Sequence, residues 1–253
     1  MDEVLKENIV SLLKDFKIFW KEKQKDDNLP DIEDSKLASM IDHTLLKPEA
    51  TSEQVQKLCA EAKENNFASV CVNSSYIPLC DDELRNTDVK VCTVIGFPLG
   101  AVITDVKEVE TSISIALGAN EVDMVINVGA LKENDFEYVR NDIKAVVDVA
   151  VEKGAVCKVI IETSLLSDEE KVAACLISKL AGAHFVKTST GFAGGGATER
   201  DVALMKFVVG EDLKVKASGG IRNRKDALNM IKAGAERLGT SSGIQIINEA
   251  KNR

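Results

Sequence analysis

Six charged residues stand inside runs that are otherwise aliphatic: Asp42, Asp123, Lys158, Glu162, Lys187 and Lys216. Two of them, Lys187 in HFVKTSTG and Lys216 in KVKASGG, lie in consecutive runs, so that strand formation would place two amines side by side. A lysine with its ordinary pKa near 10.4 is neutral in only about 0.04% of molecules at pH 7, and only the neutral amine attacks a carbonyl. Burial and a second ammonium nearby both favour the neutral form. A lowering of the pKa by about three corresponds to roughly 4 kcal/mol and raises the reactive fraction about a thousandfold. The pair therefore reads as an amine nucleophile assisted by a neighbouring cation.

Alternation sorts the other charges. In VCKVIIET the residues Lys158, Ile160 and Glu162 share one face of a strand, and in EVDMVINV so do Asp123, Val125 and Asn127. If these faces point inward, at least two acids and three amines meet in one water-poor cavity. A purely structural network of buried ion pairs is the plainer alternative, but such networks are costly to desolvate and contribute little stability. Taken singly, Lys158 and Glu162 fit the structural role as well as the chemical one. Only two histidines occur, His43 and His184, without HxH or HxxxH spacing, so a three-histidine zinc site cannot be assembled and neither metal nor cofactor is expected. His43, next to Asp42, reads as a supporting residue with its hydrogen bonds met, in preference to a proton shuttle. Glycine and hydroxyl residues gather late in the chain, as SGGI at 218–221 and GTSSG at 239–243, with GFAGGGAT at 191–198 as a flexible loop near them.

These residues need elements to hold them. Short aliphatic runs at 39–45, 68–73, 90–97, 121–128, 156–163, 184–190, 213–218 and 237–240 make eight strands, separated by helical patterns such as Phe136, Val139, Ile143, Val146, Val147 and Ala150. Capping-box spacing opens several helices, at Thr51 with Gln54, Ser167 with Glu170 and, less strictly, Thr198 with Asp201. Gly118, Gly154, Gly182 and Gly234 are placed to close others. Eight β-then-α units predict an α/β protein with a closed (β/α)8 TIM barrel, whose active site belongs at the carboxyl ends of the strands, where the loops after strands 7 and 8 commonly take a phosphate. Residues 1–35 read as an N-terminal helical extension and linker, and 36–253 as the barrel. The extension is expected to pack outside the barrel or across its floor, with a subunit contact as the alternative.

Composition agrees with one large domain. The chain has 253 residues, 45% of them hydrophobic but only 4% aromatic, so aliphatic side chains must fill the interior. A formal charge of -9, with Lys and Arg scattered among acids, argues against a nucleic-acid partner. MDEVLKENIV has acids where a targeting leader needs bases, and no apolar run approaches the roughly 18 residues of a membrane span. The six cysteines form no CxxC pair and read as reduced thiols, so a cytoplasmic location is expected.

Several separated stretches resemble the deoxyribose-phosphate aldolase family: IDHTLLKP at 41–48, SVCVN at 69–73, VIGFPLG at 94–100, EVDMVINVGAL at 121–131, KVIIET at 158–163, FVKTSTGF at 185–192, VKASGGIR at 215–222 and the GTSSG run. The resemblance implies reversible cleavage of 2-deoxy-D-ribose 5-phosphate to D-glyceraldehyde 3-phosphate and acetaldehyde. It implies Lys187 as the Schiff-base residue, Lys216 as the second lysine and Asp123 as the proton relay. Asp42, Cys71 and Lys158 match positions lining the cavity, and Thr190, Gly191, Gly219, Gly220, Ser241 and Ser242 complete the substrate contacts. No metal is implied. Phe192 stands where some members of the family have a lysine, so one cation for the phosphate is missing there. Two other readings remain at this level: a phosphosugar isomerase or lyase that uses Asp123 or Glu162 as a base without a covalent intermediate, and a non-catalytic sugar-phosphate sensor. The partner is a small phosphorylated sugar, with a homo-oligomer, dimer or tetramer, left open.

Overall fold

A computed structural model describes residues 2–24 and 28–251. Positions 25–27 of the expected linker fall outside the described residues. Eight parallel strands close into a barrel in chain order, β1 (Ile41–Leu45), β2 (Ser69–Val72), β3 (Lys90–Ile95), β4 (Glu121–Val125), β5 (Val156–Ile160), β6 (Phe185–Lys187), β7 (Lys214–Ser218) and β8 (Arg237–Thr240). The helices are α1 (Asp2–Lys23), α2 (Asp34–Ala38), α3 (Ser52–Asn65), α4 (Ile77–Glu83), α5 (Thr104–Ala116), α6 (Val128–Lys132), α7 (Phe136–Glu152), α8 (Asp168–Leu180), α9 (Glu199–Val209), α10 (Arg224–Ala233) and α11 (Gly243–Lys251).

The two faces of each strand go to different places, as a period of two requires. Val70, Val72, Val122, Met124, Val159, Ile161, Val186, Val215 and Leu238 point outward and form the main core with the helix ring. Burial of each such side chain favours folding by about 1.5–3 kcal/mol. The inward face carries only a small apolar cluster of Leu46, Cys71, Cys92 and Val94, with Phe97 against it. Beside it stand Asp42, Glu121, Asp123, Lys158, Lys187 and Lys216, all buried.

Local signals set the helix ends. Capping boxes form at Thr51–Gln54 and Ser167–Glu170, and the Thr198 side chain accepts from the Asp201 N–H. The four glycines expected to end helices all have positive φ. All six cysteines are unpaired and buried.

Most strands are shorter than their aliphatic runs. In the run at 156–163 the reason is Glu162, which takes left-handed backbone (φ 58°, ψ 65°) and ends the strand. The run at 121–128 stops at Val125 because Asn127 caps α6, its side chain accepting from the Ala130 N–H.

Helix α1 lies outside the barrel, against α8 and α9 and not across the floor. Leu5, Ile9, Leu13 and Phe16 supply its buried stripe at helical spacing. Phe16 and Phe19 meet Phe207 of α9 with ring centroids 5.6 and 5.2 Å apart, and the Arg200 guanidinium lies over the Phe16 ring at 5.6 Å.

Candidate active site

Register brings the charges together. Asp123 lies opposite Lys158 across β4–β5, and Lys187 opposite Lys216 across β6–β7. Barrel closure then converges them from residues far apart in sequence. Asp123 Oδ1 accepts from Lys158 at 2.8 Å, while Oδ2 accepts from Lys187 at 2.8 Å and from Lys216 at 2.7 Å. Lys216 also pairs with Asp42. The two amines therefore share a carboxylate instead of facing one another bare, a feature that the lysine pair alone did not suggest.

Two charged members of this network were not picked out from the sequence. Glu121 bonds Lys158 at 2.6 Å, and Arg237 reaches Asp42 at 2.6 Å and Glu121 at 3.3 Å. Glu121 shares the face of Asp123 two residues on, so alternation along EVDMV could have found it. Arg237 opens its strand, where a charge reads as an ordinary exposed end.

Electrostatics follow from this crowding. Burial opposes ionisation of Asp123, but Lys158, Lys187 and Lys216 outweigh it and hold the carboxyl well below the usual carboxylate range. Against the same cost of burial, Lys216, Arg237 and Lys158 hold Asp42 low. Burial pulls Lys158 and Lys216 down, but nearby carboxylates, Asp123 foremost, push both above the usual lysine range. The Cys71 thiol is lowered by a hydrogen bond with Cys92, against burial.

Above the network, at the carboxyl ends of the strands, opens a cavity of about 370 Å³. Lys187, Thr190, Gly191, Gly219, Gly220, Ser241 and Ser242 line it. Asp42, Cys71, Asp123, Lys158 and Lys216 are wholly buried beneath it, so that Asp42, Cys71 and Lys158 support the cavity without forming its walls. Lys187 is the amine of the network that meets the cavity. Lys47 and Arg222 also line it, two cations within the IDHTLLKP and VKASGGIR stretches that were not singled out, on the side of the glycine loops where Phe192 supplies none.

The loops are more constrained than their glycine content suggests. The Ser242 N–H is directed at Thr240 Oγ1 (2.9 Å), which leaves the remaining amides of this loop and the start of α11 as the candidate anion donors. The run at 191–198 is wedged in place from Gly195 to Ala197. A Cβ on Gly196 would meet the Gly219 carbonyl oxygen at 2.5 Å, one on Gly195 would meet Ser164 Cβ at 2.4 Å, and the Ala197 N–H donates to the carbonyls of Ser218 and Gly219. Its glycines are there for close backbone contact as much as for freedom.

His43 faces away from the interior. Its Nε2 is 2.7 Å from Glu61 of α3, and its ring meets Phe67 edge-on. Among the described residues, the donor groups close enough to share a metal ion are Cys71–Cys92–Asp123 and Asp42–Cys92–Glu121. Every carboxylate in these groups is already engaged by a lysine or arginine.

Fold and site together define a barrel enzyme whose cavity floor is an amine backed by a buried carboxylate. Residues 36–248 match the DeoC/LacD family aldolases, and the chain belongs to that family. A deoxyribose-phosphate aldolase of Bdellovibrio bacteriovorus is 62% identical over 211 residues, covering 83% of this chain and 95% of the relative. One from Clostridium tetani is 60% identical over 215 residues, covering 85% and 99%. The solved deoxyribose phosphate aldolase of Aeropyrum pernix, described as a tetramer, superposes with a TM-score of 0.81 at 36% identity, over 87% of this chain and 92% of that one. Among the described residues no helix is long and apolar enough to cross a membrane.

Proposed function

We propose that this chain cleaves 2-deoxy-D-ribose 5-phosphate reversibly to D-glyceraldehyde 3-phosphate and acetaldehyde, as a deoxyribose-phosphate aldolase working through a Schiff base on Lys187. The observation that carries the reading is the position of Lys187, which lines the cavity 2.8 Å from Asp123 while Lys216 and Lys158 lie sealed below.

In its neutral form Lys187 adds to the C1 aldehyde, and loss of water gives an iminium. As the C2–C3 bond breaks, its electron pair flows into the iminium to form an enamine. The C3 hydroxyl proton passes to Asp123 through a water. Three cations make Asp123 a poor base in the resting site, but a neutral Lys187 removes one of them, so the carboxylate becomes more basic as the amine turns nucleophilic. Protonation of the enamine at C2 and hydrolysis release acetaldehyde and the free amine. Lys216, held charged by Asp42 and Asp123, returns protons through the same carboxylate. Gly219, Gly220 and Ser241 amides with the start of α11 receive the phosphate, aided by Lys47 and Arg222.

The tetrameric Aeropyrum pernix relative supports reading this chain as a homo-oligomer, and six unpaired thiols support a cytoplasmic setting. Borohydride reduction with acetaldehyde, with EDTA present throughout, is expected to leave a reduced two-carbon adduct on Lys187, located by peptide mass spectrometry and missing in Lys187→Ala. An adduct on Lys216, or dependence on added zinc, would overturn the mechanism.

A further inference from the structure

Glu162 is buried, stands beside the cavity and has no part in the mechanism above. Its backbone is left-handed (φ 58°), a region that glycine or asparagine adopts more readily than glutamate. The pairing slips at this point. Ile161 N–H donates to the Lys187 carbonyl, but Thr163 N–H donates to Thr188, so two steps on one strand answer one step on the other and Glu162 forms a bulge. Bulges re-aim side chains, and this one turns the carboxylate toward the end of β6.

There the carboxylate meets one residue twice. Glu162 Oε2 accepts from the Thr190 N–H at 3.1 Å and from the Thr190 hydroxyl. A hydroxyl has one proton, and Thr190 gives it to Glu162, so the oxygen is left to accept the Phe192 N–H at 3.1 Å. The chain of bonds from Glu162 through Thr190 to Phe192 fixes the turn Thr190–Phe192, all three residues of which line the cavity beside Lys187. The other carboxylate oxygen, Oε1, is buried without a partner, and Glu162 also borders a small, largely apolar cavity shared with Val125, Leu165 and Phe192. A carboxylate is costly in such a place. Its two bonds to Thr190 are what the residue supplies in return.

We infer that Glu162 is a positioning residue, which sets the Thr190–Phe192 turn against the glycine loops and so governs affinity for the phosphorylated substrate without entering the chemistry. This rests on the aldolase reading. The test keeps the two apart, because adduct formation between acetaldehyde and Lys187 needs no phosphate site. Glu162→Ala is expected to raise KM for deoxyribose 5-phosphate at least tenfold and to change kcat by less than threefold. KM for unphosphorylated deoxyribose, and the rate of acetaldehyde trapping on Lys187, should move by less than threefold. Glu162→Gln keeps an oxygen that can accept both Thr190 bonds and should restore most of the affinity. Glu162→Gly, which suits the left-handed backbone at this position, removes the carboxylate and should show the same split, which keeps the test available if Glu162→Ala does not fold. Equal losses on both sugars, a fall in trapping rate that matches the fall in turnover, or a Gln variant as impaired as Ala would overturn the positioning role. Absence of any Lys187 adduct in the unmutated protein would instead remove the aldolase reading itself.

Discussion

Lys187 and Lys216 differ little in local sequence, since each follows an aliphatic run and precedes hydroxyl and glycine residues. Their roles diverge by depth: one meets the cavity, and the other is fastened between Asp42 and Asp123 below it. The same reasoning by position applies to the phosphate. Phe192 provides no cation, yet Lys47 and Arg222 stand at the cavity wall with the glycine loops, so positive charge is present from other strands. Ser241 lies among them. Ser241→Glu is expected to put a like charge against the phosphate and to weaken binding of deoxyribose 5-phosphate by at least tenfold while hardly affecting unphosphorylated deoxyribose, measured as KM on the two sugars. Matching losses would place the phosphate elsewhere.

At the scale of elements, the site is held by fastenings behind the strands. Lys107 of α5 is wholly buried, pairs with Asp142 of α7 at 2.5 Å and donates to the Val125 carbonyl at 2.9 Å, so both helices are tied to the end of the strand that carries Asp123. Helix α1 works at a greater remove. Its anchor is Phe16, 1% exposed, stacked on Trp20 and tilted against Phe207. Phe16→Ala should cost about 3–5 kcal/mol of stability in urea unfolding. Because α1 packs on α8 and α9 and supplies none of the residues that line the cavity, acetaldehyde trapping below the melting temperature should be unaffected. A loss of trapping in the folded variant would show that α1 shapes the site.

The whole molecule carries its charge network from acid to alkaline pH. Asp42 and Asp123 have depressed pKa values, so the stability they contribute is present above their unfolded value near 3.9 and is lost as pH falls through the folded one. Lys158 and Lys216 are raised, so theirs is present below about 10.4 and is lost only as pH climbs through their folded values. The window between, roughly pH 5 to 9, should leave Asp42, Asp123, Lys158 and Lys216 charged. Asp42→Asn leaves Lys216 and Arg237 short of a carboxylate and should destabilise by about 3–5 kcal/mol. That gap, from urea unfolding at each pH, should stay constant across the window and narrow below about pH 4, where the unfolded chain takes up a proton on Asp42 that the folded protein still excludes. A gap that drifts between pH 5 and 9 would mean that other groups control the titration.

Much of this molecule is written in local order. Aliphatic runs with period two, helical stripes between them and capping residues such as Thr51 and Ser167 predict eight β-then-α units, because each signal depends only on neighbours along the chain. The charges at Asp42, Asp123, Lys158, Lys187 and Lys216 are conspicuous for the same reason, standing where an aliphatic residue would otherwise pack. What they touch could be decided only by barrel closure. Lys216 finds Asp123 across 93 positions and Arg237 finds Asp42 across 195, contacts that depend on register and on β8 meeting β1. Depth in the barrel, which separates Lys187 from Lys216, likewise has no trace in either flanking sequence. The seat of α1 on α8 and α9, and the bulge that turns Glu162 toward Thr190, are settled by surfaces and pairings that exist only once the chain has folded.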